Sequence, residues 1–391
     1  MTKALIIGGG IAGAVTAMAL READIEAEVF EAYEEGADDV GAFLVVFANG
    51  LEALRVIGAH GPVVAHSFPA ERLEFLSGTG KRLGGSALAG AAGGTDTGPR
   101  TLTRATLYRV LHDEARRRGI HVRHGKRLVA AETVGDRRVV AVFADGSRAE
   151  GDLLIGADGI HSVVRKMIDP AAPRPRYTGQ YTVCGYTRDV RPPCAPATYT
   201  MIYGRRAFFG CTAAPDGEVW WFANVPGPER SRRDLAAVTA GQWRQRVTAL
   251  LDGDRTPAAD IVRATGDHIV GSHAYDLATT PRWYSDTMVI IGDAAHAAAP
   301  NAAQGASMAV EDGVVLATCL RDRHEPRRAF AAYEELRRAR VERVVAHSAR
   351  MARRSAPGAL RRVVRDVMLP RSVARGGDGA DTWLTGYRVE W

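Results

Sequence analysis

Ala4-Leu5-Ile6-Ile7-Gly8-Gly9-Gly10-Ile11-Ala12-Gly13-Ala14-Val15-Thr16-Ala17-Met18-Ala19-Leu20 carries the strongest architectural signal in this chain of 391 residues. Ala4 to Ile7 reads as a buried strand, Gly8, Gly10 and Gly13 follow in G-x-G-x-x-G spacing, and an Ala-rich helix completes the unit. Strand, glycine turn and helix in that order make a dinucleotide-binding opening. The first glycine permits the tight turn, the second lets a pyrophosphate approach the backbone, and the third lets helix pack closely on strand. The helix N-terminus then faces the phosphates. A second strand, Ala27 to Phe30, ends at Glu31, 18 residues beyond Gly13, close to the roughly 20 at which an acidic residue clamps a ribose. A secretory signal or membrane segment is excluded, because Gly8, Gly9, Gly10, Gly13 and Thr16 interrupt the apolar run well short of the roughly 18 residues a span requires.

A second signal lies near the far end, in Ile290-Ile291-Gly292-Asp293-Ala294-Ala295-His296 and the Ala-rich segment through Pro300, Gly305 and Ser307. Met288 to Ile291 reads as a buried strand, and Asp293 leaves its end where a carboxylate can accept hydrogen bonds from a polyol. Pro300 stiffens the turn, and Gly305 lets backbone amides approach a flat ring. A helix from about Ala306 to Cys319 would aim the positive end of its dipole at that ring. The combination suits a flavin, whose reduced form carries negative charge that such a helix end stabilises.

Composition narrows the remaining classes. The length suggests about two or three domains. A hydrophobic fraction of 46% with mean hydropathy of -0.14 indicates a globular, cytoplasmic protein with no transmembrane helix. The net charge of +6 invites a nucleic-acid reading. Against it, only Lys3, Lys81, Lys126 and Lys166 are lysines, and the arginines are spread over the whole chain. The one dense basic tract, Arg337 to Arg365, alternates with Val341, Val344, Val345, Met351 and Leu360, so it reads as the solvated face of amphipathic helices. Cys184, Cys194, Cys211 and Cys319 show no paired or metal-ligand spacing, so neither a disulfide framework nor a metal site is expected.

Between the two signals, the apolar run Gly41 to Phe47 leads into a helix from Ala48 to Ile57. The run reads equally as a segment lining a cofactor or as an ordinary buried strand. Ser77 to Pro99 is rich in Gly, Ser, Thr and Ala, with Leu73 to Leu76 and Arg82 to Leu83 as hairpin strands, an excursion from the first domain. Thr103 caps a helix with Leu107, Val110, Leu111 and Ala115 at helical spacing. Arg104 sits in its first turn, unfavourably against the dipole, so either an anion holds it there or it faces solvent. His121 to Arg123, Val139 to Phe143 and Arg148 to Glu150 read as strands, with Asp145-Gly146 as a hairpin turn. Leu153 to Ile155 feeds Gly156-Ala157-Asp158-Gly159, where an acid again leaves a strand end; a plain Asp-Gly turn reads the same way. From Tyr177 to Asn224 long strands rich in Tyr, Thr, Val, Phe and Trp announce an antiparallel domain. A helix around Leu235 to Leu251 and a strand His268 to Ala274 follow before the return to the first domain at Met288.

The fingerprint with Glu31, the Asp158-Gly159 segment and the Gly292-Asp293 segment, in this order and at these separations, resemble the single-component flavin aromatic hydroxylases typified by para-hydroxybenzoate and salicylate hydroxylases. The likeness covers nearly the whole chain and extends to Tyr333-Glu334 with Arg337 and Arg340. It implies a mixed α/β fold with a Rossmann-like FAD-binding domain at 1–72, 98–176 and 284–325. An antiparallel-sheet substrate domain would occupy 73–97 and 177–283, and a helical segment 326–391. It also implies roles for Gly8, Gly10 and Gly13, with Ile11, Ala12, Ala32 and Leu128 beside the cofactor, and Glu31 at the adenosine ribose. Arg104 would serve the ribityl and phosphate region, Asp158 the pyrophosphate and nicotinamide passage, and Gly292-Asp293 a ribityl hydroxyl. Pro300, Gly305, Ala306 and Ser307 would lie beside the isoalloxazine.

The chain departs from the family pattern Pro-x-x-Gly-Gln-Gly-x-Asn at Ala303 and Ser307, which would sit where oxygen and substrate meet the ring. No arginine occurs between Glu31 and Asn49, where many members carry one. The implied activity is that of a monooxygenase holding FAD non-covalently, in secondary metabolism. NAD(P)H and O2 would serve as co-substrates, and an aromatic or electron-rich small molecule would be hydroxylated through a flavin C4a-hydroperoxide. A flavin epoxidase, a dehydrogenase, or a non-catalytic flavin- or lipid-binding protein would use the same scaffold. No residue stands out as a catalytic base, and no nucleic-acid or membrane partner is expected.

Overall fold

The computed structural model describes residues 2–34, 42–88, 90–91, 98–135, 138–323, 325–355 and 382–391. The polar stretch at 35–39, Gly41, Leu360 and the basic tract beyond 355 lie outside them. In chain order, β1 (Lys3–Ile7), α1 (Ile11–Glu22) and β2 (Glu26–Phe30) form the opening unit. β3 (Phe43–Val46), α2 (Ala48–Val56), α3 (His60–Ala65) and β4 (Phe68–Pro69) precede a hairpin, β5 (Arg72–Ser77) and β6 (Arg82–Ala87). β7 (Arg100–Thr103) runs directly into α4 (Arg104–Arg117) and then β8 (Val122–Arg123). A meander of β9 (Leu128–Val134), β10 (Arg138–Phe143) and β11 (Arg148–Gly151) leads to β12 (Leu153–Gly156) and α5 (Val163–Ile168). Four strands, β13 (Arg176–Thr187), β14 (Thr198–Tyr203), β15 (Phe208–Ala213) and β16 (Val219–Pro226), are followed by α6 (Arg232–Ala236), α7 (Ala240–Leu251), α8 (Ala258–Ala264) and β17 (Ile269–Asp276). Then come β18 (Met288–Ile290), α9 (Asp293–His296), α10 (Gly305–Asp322), α11 (Pro326–Ser355) and α12 (Thr382–Thr385).

Five parallel strands in the order β18-β12-β1-β2-β8 make the central sheet. Its residues Ala4 to Ile7 and Leu153 to Ile155 are buried, the continuous apolar pattern of strands covered on both faces. The helix α10 crosses α1 at Gly313, where an added Cβ would stand 2.7 Å from Thr16 Oγ1 and 3.1 Å from its amide. The close crossing fixes the start of α10 relative to the glycine turn after β1.

The second large sheet has the order β17-β13-β16-β15-β14-β5-β6. The excursion hairpin is thus absorbed by it, β5 pairing parallel with β14 from Thr198↔Arg72 to Tyr203↔Ser77. One face of this sheet buries Tyr181, Val183, Phe209, Trp221, Ala223 and Val225 with Trp243, Val247, Ile261 and Val262 of α7 and α8. Two indoles lie flat on glycines there: a Cβ on Gly185 would meet the Trp221 ring at 2.5 Å, and one on Gly271 the Trp243 ring at 2.3 Å. The other face looks toward a three-stranded strip, β3-β7-β4, which belongs by chain continuity to the dinucleotide-binding part.

Several sequence expectations need correction. The single helix expected around Leu235 to Leu251 is two, α6 and α7, because Thr239 starts a new helix with a capping box to Gln242. The strand β9 and the helices α3, α5 and α8 were not anticipated; all but β9 are of six or seven residues, too short for a periodic signature. The basic tract is not a uniformly solvated face, since Arg337 is fully buried and Arg340 nearly so.

Candidate functional site

The turn after β1 is built as its glycines require. Gly8 has φ +104°, and a Cβ on it would stand 2.4 Å from Ala157 O at the end of β12. A Cβ on Gly13 would stand 1.9 Å from Gly8 O, so the third glycine is what lets α1 lie against the turn. A Cβ on Gly10 would meet nothing within 4 Å. The chain therefore reserves open space in front of Gly10 while packing tightly behind it. Ile11 and Ala12 begin α1 there, with amides in the first turn free of helical partners.

The middle residue of the turn is clamped from both sides. Gly9 N donates to Glu31 Oε2 at 2.7 Å, and Glu31 Oε1 accepts from Tyr33 N at 3.0 Å. Ala32 follows Glu31 half-buried, and Leu128 opens β9 with its side chain buried. On the carbonyl side, His112 Nε2 donates to Gly9 O. The imidazole is buried and stacks on Tyr108 at 3.9 Å between ring centres. Burial lowers its pKa below the ordinary histidine range, and as the carbonyl can only accept, the neutral ring carries its proton on Nε2. Sequence reading missed His112; its position two turns after Arg104 on the same helix is the signal that could have found it.

Arg104 is the first residue of α4, after Thr103, whose hydroxyl accepts from Thr106 N at 3.0 Å. Its amide donates to Ala42 O at 3.0 Å, and its exposed guanidinium forms no ion pair among the described residues. At the end of β12, Asp158 Oδ2 accepts from Val163 N at 2.7 Å and Val164 N at 3.2 Å, whereas Oδ1 is buried with no aligned hydrogen bond among the described residues. Burial pushes this carboxyl above the usual range. From the following helix, buried Arg165 donates to Ile160 O at 2.7 Å and to Ala294 O at 2.8 Å. The Asp158 turn and the Gly292 turn are thereby tied by one side chain.

Gly292 adopts φ +56° and starts α9, leaving Asp293 exposed, with no side-chain partner among the described residues. Gly292 N donates to Asp312 Oδ2 at 2.8 Å, and His296 Nε2 reaches the same oxygen at 2.5 Å. Arg337 Nε donates to Asp312 Oδ1 at 2.8 Å, while its Nη2 stands 2.6 Å from Glu311 Oε2, an ion pair without hydrogen-bond alignment. Arg340 donates to both Glu311 oxygens at 2.8 and 2.9 Å and also to Trp383 O and Leu384 O. Asn49 Nδ2 bridges Glu311 Oε1 at 2.6 Å and Gln304 Oε1 at 3.0 Å. Burial alone would raise both carboxyls. For Glu311 the charges of Arg337 and Arg340 outweigh it, and for Asp312 those of His296 and Arg337, so both are held below their ordinary range. Two adjacent acids inside the apolar run Met308 to Leu316 were the sequence signal for this network.

Pro300 opens a 3-10 turn ending at Ala303, which takes the left-handed conformation at φ +51°. That is the backbone state for which the family pattern keeps a glycine. Gly305 begins α10, and a Cβ there would meet nothing within 4 Å. Ala306 follows half-buried. Ser307 Oγ accepts from Phe47 N at 3.1 Å, and its side chain packs on Gly50.

Two helix starts thus have open space before them at Gly10 and Gly305, and the Arg104 guanidinium and the Asp293 carboxylate are exposed. Open glycines at Gly10 and Gly305 let a ligand press against the backbone at two helix starts, where negative charge is favoured. This is a flavin dinucleotide site on a dinucleotide-binding fold. The chain belongs to the FAD-binding-domain family, matched over residues 1–348, and is an FAD-dependent monooxygenase. It is 31% identical over 362 residues to the aurachin C monooxygenase/isomerase of Stigmatella aurantiaca, covering 89% of this chain and 88% of that one. It is 30% identical over 355 residues to the FAD-dependent urate hydroxylase of Klebsiella pneumoniae, covering 88% of each. The crystal structure of Klebsiella pneumoniae HpxO complexed with FAD and uric acid superposes with a TM-score of 0.86 at 26% identity, covering 98% of this chain and 97% of that one.

Proposed function

We propose that the enzyme uses NAD(P)H to reduce its FAD and inserts one atom of O2 into an aromatic or other electron-rich small molecule of secondary metabolism, in the cytoplasm. The open space before Gly10 and before Gly305, with Arg104 and Asp293 exposed and without ion pairs among the described residues, supports this reading. In it, Gly8, Gly10, Ile11, Ala12 and Gly13 cradle the pyrophosphate, and Glu31 and Ala32 take the adenosine ribose with Leu128 beside them. The Glu31 carboxylate has lone pairs to spare beyond the two backbone amides it already accepts. Arg104 neutralises the phosphate and ribityl region, Asp158 lines the passage for the nicotinamide donor, and Asp293 beside Gly292 accepts from a ribityl hydroxyl. Pro300, Gly305, Ala306 and the backbone of Ser307 border the ring, where the start of α10 favours negative charge.

When bound, FAD supplies the redox and oxygen chemistry. The protein's part is to orient and to keep the space between the large sheet and the cofactor dry. The same reading divides the chain into a flavin-binding part at 1–72, 98–176 and 284–325, a substrate part at 73–97 and 177–283, and a helical part at 326–391. The separate apolar cores of the two sheets support that division. The test is to purify the protein, record its flavin spectrum, and follow product formed under 18O2. One labelled oxygen per product supports monooxygenation. Unlabelled, oxidised product would mark a dehydrogenase, and NAD(P)H consumption that no aromatic ligand stimulates would mark a protein without turnover.

A further inference from the structure

The register of the large sheet says which of its residues look at the cofactor side. Because Tyr181, Val183, Trp221 and Ala223 point to α7 and α8, their neighbours Thr182, Cys184, Tyr186, Trp220, Phe222 and Asn224 point the other way. The pairings Thr182↔Asn224, Cys184↔Phe222 and Tyr186↔Trp220 place them in three adjacent rows. Gly210 pairs with Phe222 and with Met201, and a Cβ on it would strike the Phe222 ring at 2.5 Å. The glycine therefore clears space on this wall for larger neighbours.

Phe43 of β3 joins the wall to the cofactor strip. Its ring lies 5.6 Å from Trp220, 6.0 Å from Phe222 and 6.2 Å from Tyr186. Phe43 pairs with Thr103, the residue before Arg104, and β3 is followed by Phe47, whose amide is bonded to Ser307. Phe43, Tyr186, Trp220 and Phe222 are all only half-buried, so ring surface is on offer.

The polar groups of this face are neutral. Thr182 Oγ1 is buried without a partner among the described residues, beside buried Asn224. Burial pushes the Cys184 thiol up to about 12 and raises the Tyr186 phenol. The nearby acid, Glu218, is already taken by Trp220 Nε1 at 2.8 Å and by Arg188 at 3.4 Å. Among the described residues these rows of the sheet carry no cation of their own, and with Arg104 given to the cofactor's phosphates a carboxylate brought onto them would lose its hydration unpaired.

Resting on the monooxygenase reading above, we infer that the substrate is a neutral, flat, hydrophobic aromatic, stacked on Trp220, Phe222 and Phe43 and oriented by uncharged hydrogen bonds at Thr182 and Asn224, and that carboxylated rings are rejected. The test uses the FAD-loaded enzyme and a pair that differs only in charge, 6-hydroxy-2-naphthoate and its methyl ester. Each is titrated against the flavin absorbance spectrum and assayed for stimulated NAD(P)H oxidation. The ester should bind at least about tenfold more tightly than the acid, the least expected for an unpaired buried charge. Phe222→Arg should reverse the order while retaining full flavin. An acid bound as tightly as the ester by the parent enzyme would overturn the inference. So would a holoenzyme that oxidises NAD(P)H yet shows no spectral response to either compound. A protein that binds no FAD would instead overturn the monooxygenase reading itself.

Discussion

Replacing Arg337 with methionine removes the one cation among the described residues that faces both Glu311 and Asp312 in the interior. Breaking a buried ion pair by deleting one partner costs about 3–5 kcal/mol, because the other charge stays behind. Here each carboxylate keeps some support, Glu311 from Arg340 and Asn49, and Asp312 from His296 and Gly292 N. The lower end, about 3 kcal/mol, is therefore expected, which corresponds to a fall in Tm of roughly 3–4 °C for a chain of this size. Thermal melts of parent and Arg337→Met, followed by far-ultraviolet circular dichroism at fixed FAD concentration, measure it.

The pH dependence gives an independent check. In the parent both carboxyls lie below their unfolded values of about 3.9 and 4.3, so they contribute stability above that range and lose it as pH falls through the folded values. In the variant, burial dominates and raises them, so their penalty applies at neutral pH and disappears on acidification. The gap in Tm between the two proteins should thus narrow as pH falls from 7 toward about 4. A gap under about 1 °C at pH 7, or one that widens on acidification, would refute this account of the network.

Asp293→Ala should weaken FAD binding by about 1.5–3 kcal/mol, the worth of a charged hydrogen bond; recovery of the variant with a full complement of flavin would remove Asp293 from the site. Gly10→Ala should leave the melting of the flavin-free protein unchanged yet abolish flavin uptake, because its Cβ enters open space, whereas Gly13→Ala should unfold the turn. Equal flavin content in parent and Gly10→Ala would contradict the proposed cradle. Ala303→Gly relieves a left-handed alanine, worth about 1–2 kcal/mol, and loses about 0.4–1 kcal/mol through a freer unfolded chain. A Tm equal to or slightly above the parent's is expected, and a clear fall would show that the methyl packs favourably.

The parts legible in the sequence were those whose chemistry is local. Gly8, Gly10, Gly13 and Glu31 lie within one βαβ unit, so spacing singled them out; Asp293 stood out as an acid leaving a strand end, whereas Asp158 read equally as a plain Asp-Gly turn. What stayed hidden depends on partners far along the chain. Arg337 and Arg340 look like any solvated arginines of an amphipathic helix until Glu311 and Asp312, about seven turns of helix away, are brought opposite them. The partner of Ser307 was hidden for the same reason, since Phe47 N is 260 residues distant. The inward and outward rows of the large sheet could not be assigned either, because a one-residue slip exchanges Trp220 with Trp221.

The Arg340 donors to the Trp383 and Leu384 carbonyls bear on how the protein is made. Chains emerge from the ribosome N-terminus first, so the glycine turn at Gly8 is available long before the brace behind α10 is complete. That brace closes only when residue 384 has left the exit tunnel. Incorporation of flavin should accordingly follow the emergence of residue 384, and a nascent chain stalled short of that point should capture little of it.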